Sequence, residues 1–248
     1  MHALAAEFRK LWTTRTGMWL TILTVVIAAG ISILVGTLSD ASDNATDDLV
    51  NTVSFAAEWG YIFAAVLGII GITGEYRHMT VTPTFLSVPR RGLVVAVKLI
   101  TYLIWGAVLG ALTTFISVLL TKAIMSSRNF ESVSLSSSPV QHAIWGSLLA
   151  VAIFGIIGVG LGALLRNQIA AIVVLLGFLF IIQNLLLIPA LRPAYRFMPG
   201  TLAAVISGTD IGGDVYTFSR AVSILLLIGY GVVFAIIGSL LTVSRDVT

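Results

Sequence analysis

Polar residues are sparse along this chain and fall in bands. Six apolar runs, at 18–38, 55–73, 94–120, 142–165, 169–188 and 221–243, are separated by short segments that hold most of the charge. Crossing about 30 Å of hydrocarbon takes roughly 20 helical residues, so each run is long enough to span. The run at 94–120 is over-long, which predicts a helix that tilts or projects past the lipid. Ahead of the first run, Leu4, Phe8, Leu11 and Trp12 recur at helical spacing on one face, while His2, Arg9, Lys10 and Thr13 lie largely away from it. This predicts an amphipathic helix over 1–16, lying in the membrane interface with its apolar side down. A signal peptide is the competing reading. Its apolar core is usually about 7–15 residues, shorter than the first run here.

The bands between the runs differ in kind. Residues 39–52 are rich in Asp, Ser and Asn and read as a polar loop, and 122–140 reads as a serine-rich one. Arg166-Asn167-Gln168 is the whole connection between the fourth and fifth runs, which makes those helices an antiparallel hairpin. Between the fifth and sixth, 189–220 holds Pro189, Pro193, Pro199 and Gly200, the apolar piece 201–206, then Gly208, Gly212 and Gly213. That piece is too short to span. It predicts a re-entrant segment, a short helix entering the outer leaflet with its ends covered by protein.

Composition sharpens this picture. Of 248 residues, 58% are hydrophobic and 10% charged, against about 25% charged in soluble domains. The fold class is an all-α membrane protein, one domain over 1–248 with six transmembrane helices. The Lys and Arg residues set the orientation. Arg9, Lys10, Arg15, Arg77, Arg90, Arg91, Lys98, Arg166 and Arg245 fall at one set of helix ends, and Lys122, Arg128, Arg192, Arg196 and Arg220 at the other. The first, larger set is expected in the cytoplasm, with both termini. The chain is then multi-pass in the cell membrane, with membrane lipids as neighbours and no sign of a nucleic-acid partner. Cysteine is absent, so disulfide and thiolate chemistry are excluded.

Catalytic chemistry has no visible seat. There is no Gly-x-x-x-x-Gly-Lys-Ser/Thr loop and no His-Glu-x-x-His; His2, His78 and His142 lie far apart, and no aspartate falls inside a run. We therefore expect no catalytic residues, no metal site and no cofactor on this chain. The polar groups inside the runs are few. Glu58 opens the second run beside Trp59 and Tyr61; it is either hydrated at headgroup level or at the mouth of a path. Gln183 and Asn184 sit near one end of the fifth; they either bond to neighbouring helices or line a polar path. Gly106 and Gly110, then Gly155, Gly158, Gly160 and Gly162, suit close helix packing. What remains is a conduit or scaffold without an energy source of its own.

The segment 74–91 joins the second and third runs. Thr82 then Pro83 is a helix-start signal, a capping hydroxyl followed by proline at the first helical position. Pro89 ends that helix almost at once, so 83–88 predicts one to two turns carrying Phe85, Leu86 and Val88, flanked by Arg90 and Arg91. It is either a docking knob for a partner or a loop on the headgroups.

Gly74-Glu75-Tyr76-Arg77-His78, Thr82-Pro83-Thr84-Phe85 and Val88-Pro89-Arg90-Arg91 resemble the loop between spans two and three in permease subunits of the type-2 ABC exporter family. The resemblance extends to the helix before span one, the six spans, the short fourth-to-fifth connection and the segment before span six. It implies a coupling helix seated on a separate nucleotide-binding ATPase subunit, which would hold ATP and Mg. Glu75, Arg77, Thr82, Pro83, Thr84 and Phe85 would form or brace that contact, with the 1–16 helix beside it. It also implies a second permease subunit, identical or different, and a substrate among drugs, antibiotics, peptides or lipids. Within that reading Glu58, Gln183 and Asn184 are the candidate path residues. The alternative is a non-transporting scaffold or sensor that recruits a cytoplasmic partner through 74–91.

Overall fold

A computed structural model describes residues 2–39, 44–77, 91–128, 133–188, 190–209 and 217–245. Among them there is no strand. The helices are α1 (His2–Thr13), α2 (Arg15–Leu38), α3 (Ala45–Arg77), α4 (Arg91–Ser127), α5 (Ser138–Leu165), α6 (Gln168–Gly177), α7 (Arg192–Tyr195), α8 (Pro199–Ser207) and α9 (Arg220–Arg245). A π-turn, Phe178–Ile182, carries α6 on into the short helical turn Gln183–Leu185. Six helices are long and apolar enough to cross a membrane: α2, α3, α4, α5, the α6 unit and α9. This is the shape of a multi-pass membrane protein.

The central element is α5. It is buried at every position from 150 to 163, and it packs against α3, α4 and α9. Glycine makes those contacts close. A Cβ on Gly158 would run into the Ala65 carbonyl of α3, and one on Gly106 into the backbone of Val151 and Ala152. Ser, Thr and small residues form the buried side of α2, where Thr24 and Ser32 return their hydroxyls to carbonyls one turn back. Its Trp19, Leu23, Val26 and Leu34 face outward, as lipid-facing residues would.

Helix bounds depart from the sequence reading where helices outrun the apolar runs. The 39–52 loop is shorter than expected, because α3 begins at Ala45 and places Asp47 and Asp48 in its first turn, where negative charge suits the helix N-terminus. Likewise α4 continues to Ser127 and α5 starts at Ser138. These extensions are held by a second apolar cluster that includes Leu49, Val53, Met125 and Val140. Arg128 reinforces it, donating to the carbonyls of Gly36, Thr37 and Ser39 at 2.9, 3.0 and 2.7 Å. The connection between α5 and α6 is only Arg166 and Asn167. Arg166 takes the left-handed conformation (φ 53°), and the Asn167 side chain caps α6 by accepting from Ala170 N–H.

Two bounds matter for the site. Helix α3 ends at Arg77 and α4 starts at Arg91, so the connecting segment is 78–90 rather than 74–91, and Glu75 and Arg77 are helical. The 189–220 segment includes α7 and α8, and Arg220 already belongs to α9.

Candidate functional site

Helix α3 carries a polar cluster near each end. Towards its C-terminal end, Lys98 of α4 is 1% exposed. Its ammonium lies 2.9 Å from Glu7 Oε2 and 2.9 Å from Glu75 Oε1, and donates to the Gly71 carbonyl at 2.9 Å. An ammonium has three N–H donors, and three acceptors meet it here. Lys10 closes the group, 2.6 Å from Glu7 Oε1 and 2.9 Å from Glu75 Oε1. Two cations face two carboxylates, joining α1, α3 and α4. Gly71 makes room for the Tyr102 phenol beside this cluster, since a Cβ there would overlap it.

The apolar face of α1 adds to that tether. Leu11 is buried, Phe8 packs on the core, and Trp12 meets the Trp105 ring edge-on at 5.2 Å. Leu4 is half-buried, and Trp12 is otherwise exposed. The charges hold their states through each other. Burial alone would raise the Glu7 carboxyl, but Lys98 and then Lys10 outweigh it and hold it below its ordinary 4.5. Burial would lower Lys10, and hydrogen bonds to Glu7 and Glu75 outweigh that, raising it above 10.5.

The other cluster surrounds a cavity of about 340 Å³ between α3, α5, the end of α6, α7 and α8. Glu58 and Gln183 both line it, brought together across 125 residues by the packing of α3 against the α6 unit. Tyr61 lines the cavity beside Glu58 and stacks on Phe154 with ring centroids 4.1 Å apart. Gln183 Oε1 accepts from Gly200 N–H at 3.1 Å, which fastens the start of α8 to the α6 unit. Ser54, Ser147 and Thr201 line the same cavity, and their buried hydroxyls have no hydrogen-bond partner among the described residues. The π-turn lies immediately before Gln183 and sets its register, with Gln183 N–H reaching back five residues to Phe178.

Asn184 is not part of this lining. Its amide donates to Phe180 C=O at 3.0 Å on its own helix, and the residue is exposed. Glu75 turns towards Lys10 and Lys98 within this chain, with its side chain 13% exposed. For Arg77 the helical backbone is described and the side chain is not; Thr82, Pro83, Thr84 and Phe85 lie outside the described residues.

Sequence reasoning missed Glu7 and the role of Lys98. The available signal was Lys98 itself, a cation inside an apolar run, which demands a partner at depth. No family model and no curated protein matches the chain.

Proposed function

We propose that this chain is the permease subunit of an ATP-driven exporter of the type-2 ABC kind, with ATP hydrolysis on a separate subunit. The observation that carries this reading is the continuity of α3. One unbroken helix bears Glu58 at the cavity and Glu75 at the ion cluster. At 1.5 Å per residue these lie about 25 Å apart. The helix then runs directly into segment 78–90. A push on that segment is delivered along a rigid rod to the cavity wall.

The other parts take their roles from this. Thr82, Pro83, Thr84 and Phe85 belong to a coupling helix seated on the ATPase. The α1 helix lies in the cytoplasmic interface, and Glu75 acts within the chain, clamping α1 to α3 and α4 so that all three move together. The α7–α8 segment is the outer re-entrant element that closes the cavity, and both termini face the cytoplasm of a cell-membrane protein. A second permease subunit completes the path.

The decisive experiment is purification of the chain from its native membrane in mild detergent, with identification of its partners. We expect a stoichiometric protein with a Gly-x-x-x-x-Gly-Lys-Ser/Thr loop, and Phe85→Asp to abolish its retention while leaving membrane insertion intact. Absence of any ATPase, together with crosslinks from position 85 that find none, overturns the exporter reading in favour of a scaffold.

A further inference from the structure

We infer that the cavity at Glu58 is a binding site for a small, hydroxyl-rich organic cation with a primary ammonium group. Three observations define that ligand. First, among the described residues Glu58 is the only carboxylate in the lining, and no Lys or Arg joins it there. The start of α8 also borders the cavity, and its Gly200 amide is already answered by Gln183. An anion therefore finds no charge partner, whereas a cation finds one.

Second, the cavity presents hydroxyls without partners. Ser147 is 0% exposed, Thr201 1% and Ser54 8%, each with an unpartnered oxygen. An unsatisfied buried hydroxyl costs free energy, so these three positions are prepared for a ligand or water that donates and accepts hydrogen bonds. An ammonium supplies several N–H donors at once, and sugar-like hydroxyls supply both donors and acceptors. Elsewhere Thr73 and Thr113 return their hydroxyls to their own helix, while Thr114, Ser117, Thr121 and Ser223 are also buried without a partner among the described residues; the three here differ in sharing one cavity with Glu58.

Third, size and walls exclude simpler occupants. A volume of about 340 Å³ is about ten times a water's share of liquid, roughly 30 Å³, far more than a bare monovalent ion fills. A divalent metal would want several carboxylates, and no group of three or more possible metal ligands exists among the described residues. Phe55, Tyr61 and Tyr195 bring aromatic surface to the same cavity, and aromatic faces attract ammonium groups. The volume sits at the small end of ligand pockets, which run from roughly 300 Å³ upward, so the ligand has about the bulk of one sugar ring.

This assignment rests on the cavity being part of a solute path. Its test uses the purified chain alone, in lipid nanodiscs, so failure to find an ATPase leaves the result intact. Isothermal titration calorimetry compares glucosamine, glucose and sodium chloride at pH 7. We expect saturable binding of glucosamine, with glucose at least tenfold weaker. Glu58→Gln, which keeps shape and removes charge, is expected to erase that preference, and Ser147→Ala with Thr201→Val to weaken glucosamine at a thermal midpoint no lower than the parent's. Asn184→Leu, off the cavity, should bind as the parent does. Equal binding of glucose, an unchanged preference in Glu58→Gln, a response to sodium chloride alone, or no binding of any probe each overturns the assignment.

Discussion

The ammonium of Lys98 lies 2.9 Å from the Glu7 carboxylate, a residue 91 positions away on a different helix. With Lys98 1% exposed, removing its charge takes the buried cation from between Glu7 and Glu75 and leaves them with the more exposed Lys10. Breaking a buried pair from one side typically costs about 3–5 kcal/mol. Lys98→Met is therefore expected to lower the thermal midpoint in detergent sharply and to open the α1–α2 junction to protease. Glu7→Gln should cost less in the Lys98→Met background than in the parent, because the partner is already gone. Equal costs in both backgrounds would show that the two residues are not coupled.

The same cluster sets a pH window. Glu7 has its pKa lowered by folding, so its contribution is complete above 4.5 and fades as pH falls through the lower folded value. Lys10 is raised, so its contribution is complete below 10.5 and fades as pH climbs through the higher folded value. The ionisable groups facing each other are Glu7, Lys10, Glu75, Lys98 and Tyr102. Docking of α1 is thus expected to be flat through neutral pH and to loosen in strong acid and strong base. Amide exchange along α1 reads this directly. A transition near neutrality would refute it.

Glycines in different places should respond oppositely to a methyl group. At Gly158 a Cβ meets the Ala65 carbonyl, backbone that cannot turn aside. Overpacking of this sort costs about 1–3 kcal/mol, so Gly158→Ala is expected to lose thermal stability and yield. Gly229 on α9 has open space around it, and Ala is a better helix former by up to about 1 kcal/mol. Gly229→Ala should be neutral or stabilising in the isolated chain. A marked loss in the assembled protein, absent from the isolated chain, would reveal a second copy packed on that face.

Much of the architecture is legible in the sequence because a bilayer imposes a length on apolar runs, and six such runs became six long apolar helices. Helix ends were harder. Asp47, Asp48 and Asn51 read as loop, yet beside them Leu49, Val50 and Val53 are buried against neighbouring helices, a contact that no local pattern announces. Glu58 and Gln183 stood out as isolated polar groups in apolar surroundings. Ser54, Ser147 and Thr201 did not, since a hydroxyl in a helix ordinarily satisfies itself one turn back. The ion cluster was hidden for another reason. Glu7 borders the apolar face of α1 between Leu4 and Leu11, Lys98 counts as one more positive charge, and only the meeting of three helices makes them partners.

Gln183 and Asn184 are neighbours in sequence with different surroundings. Gln183 answers the Gly200 amide at 3.1 Å and lines the cavity, while Asn184 donates to Phe180 on its own helix. Gln183→Leu strips the first turn of α8 of that acceptor, a loss of about 1–3 kcal/mol for a buried donor left unmade. It also removes a polar group from the cavity. We expect a lower thermal midpoint and weaker solute flux in proteoliposomes reconstituted with the co-purified ATPase. Asn184→Leu replaces an exposed side chain whose bond is local, so its stability should stay within about 0.5 kcal/mol and its flux should match the parent. If the two variants behave in the reverse way, the path lies on the Asn184 side of the helix and the cavity is a structural void.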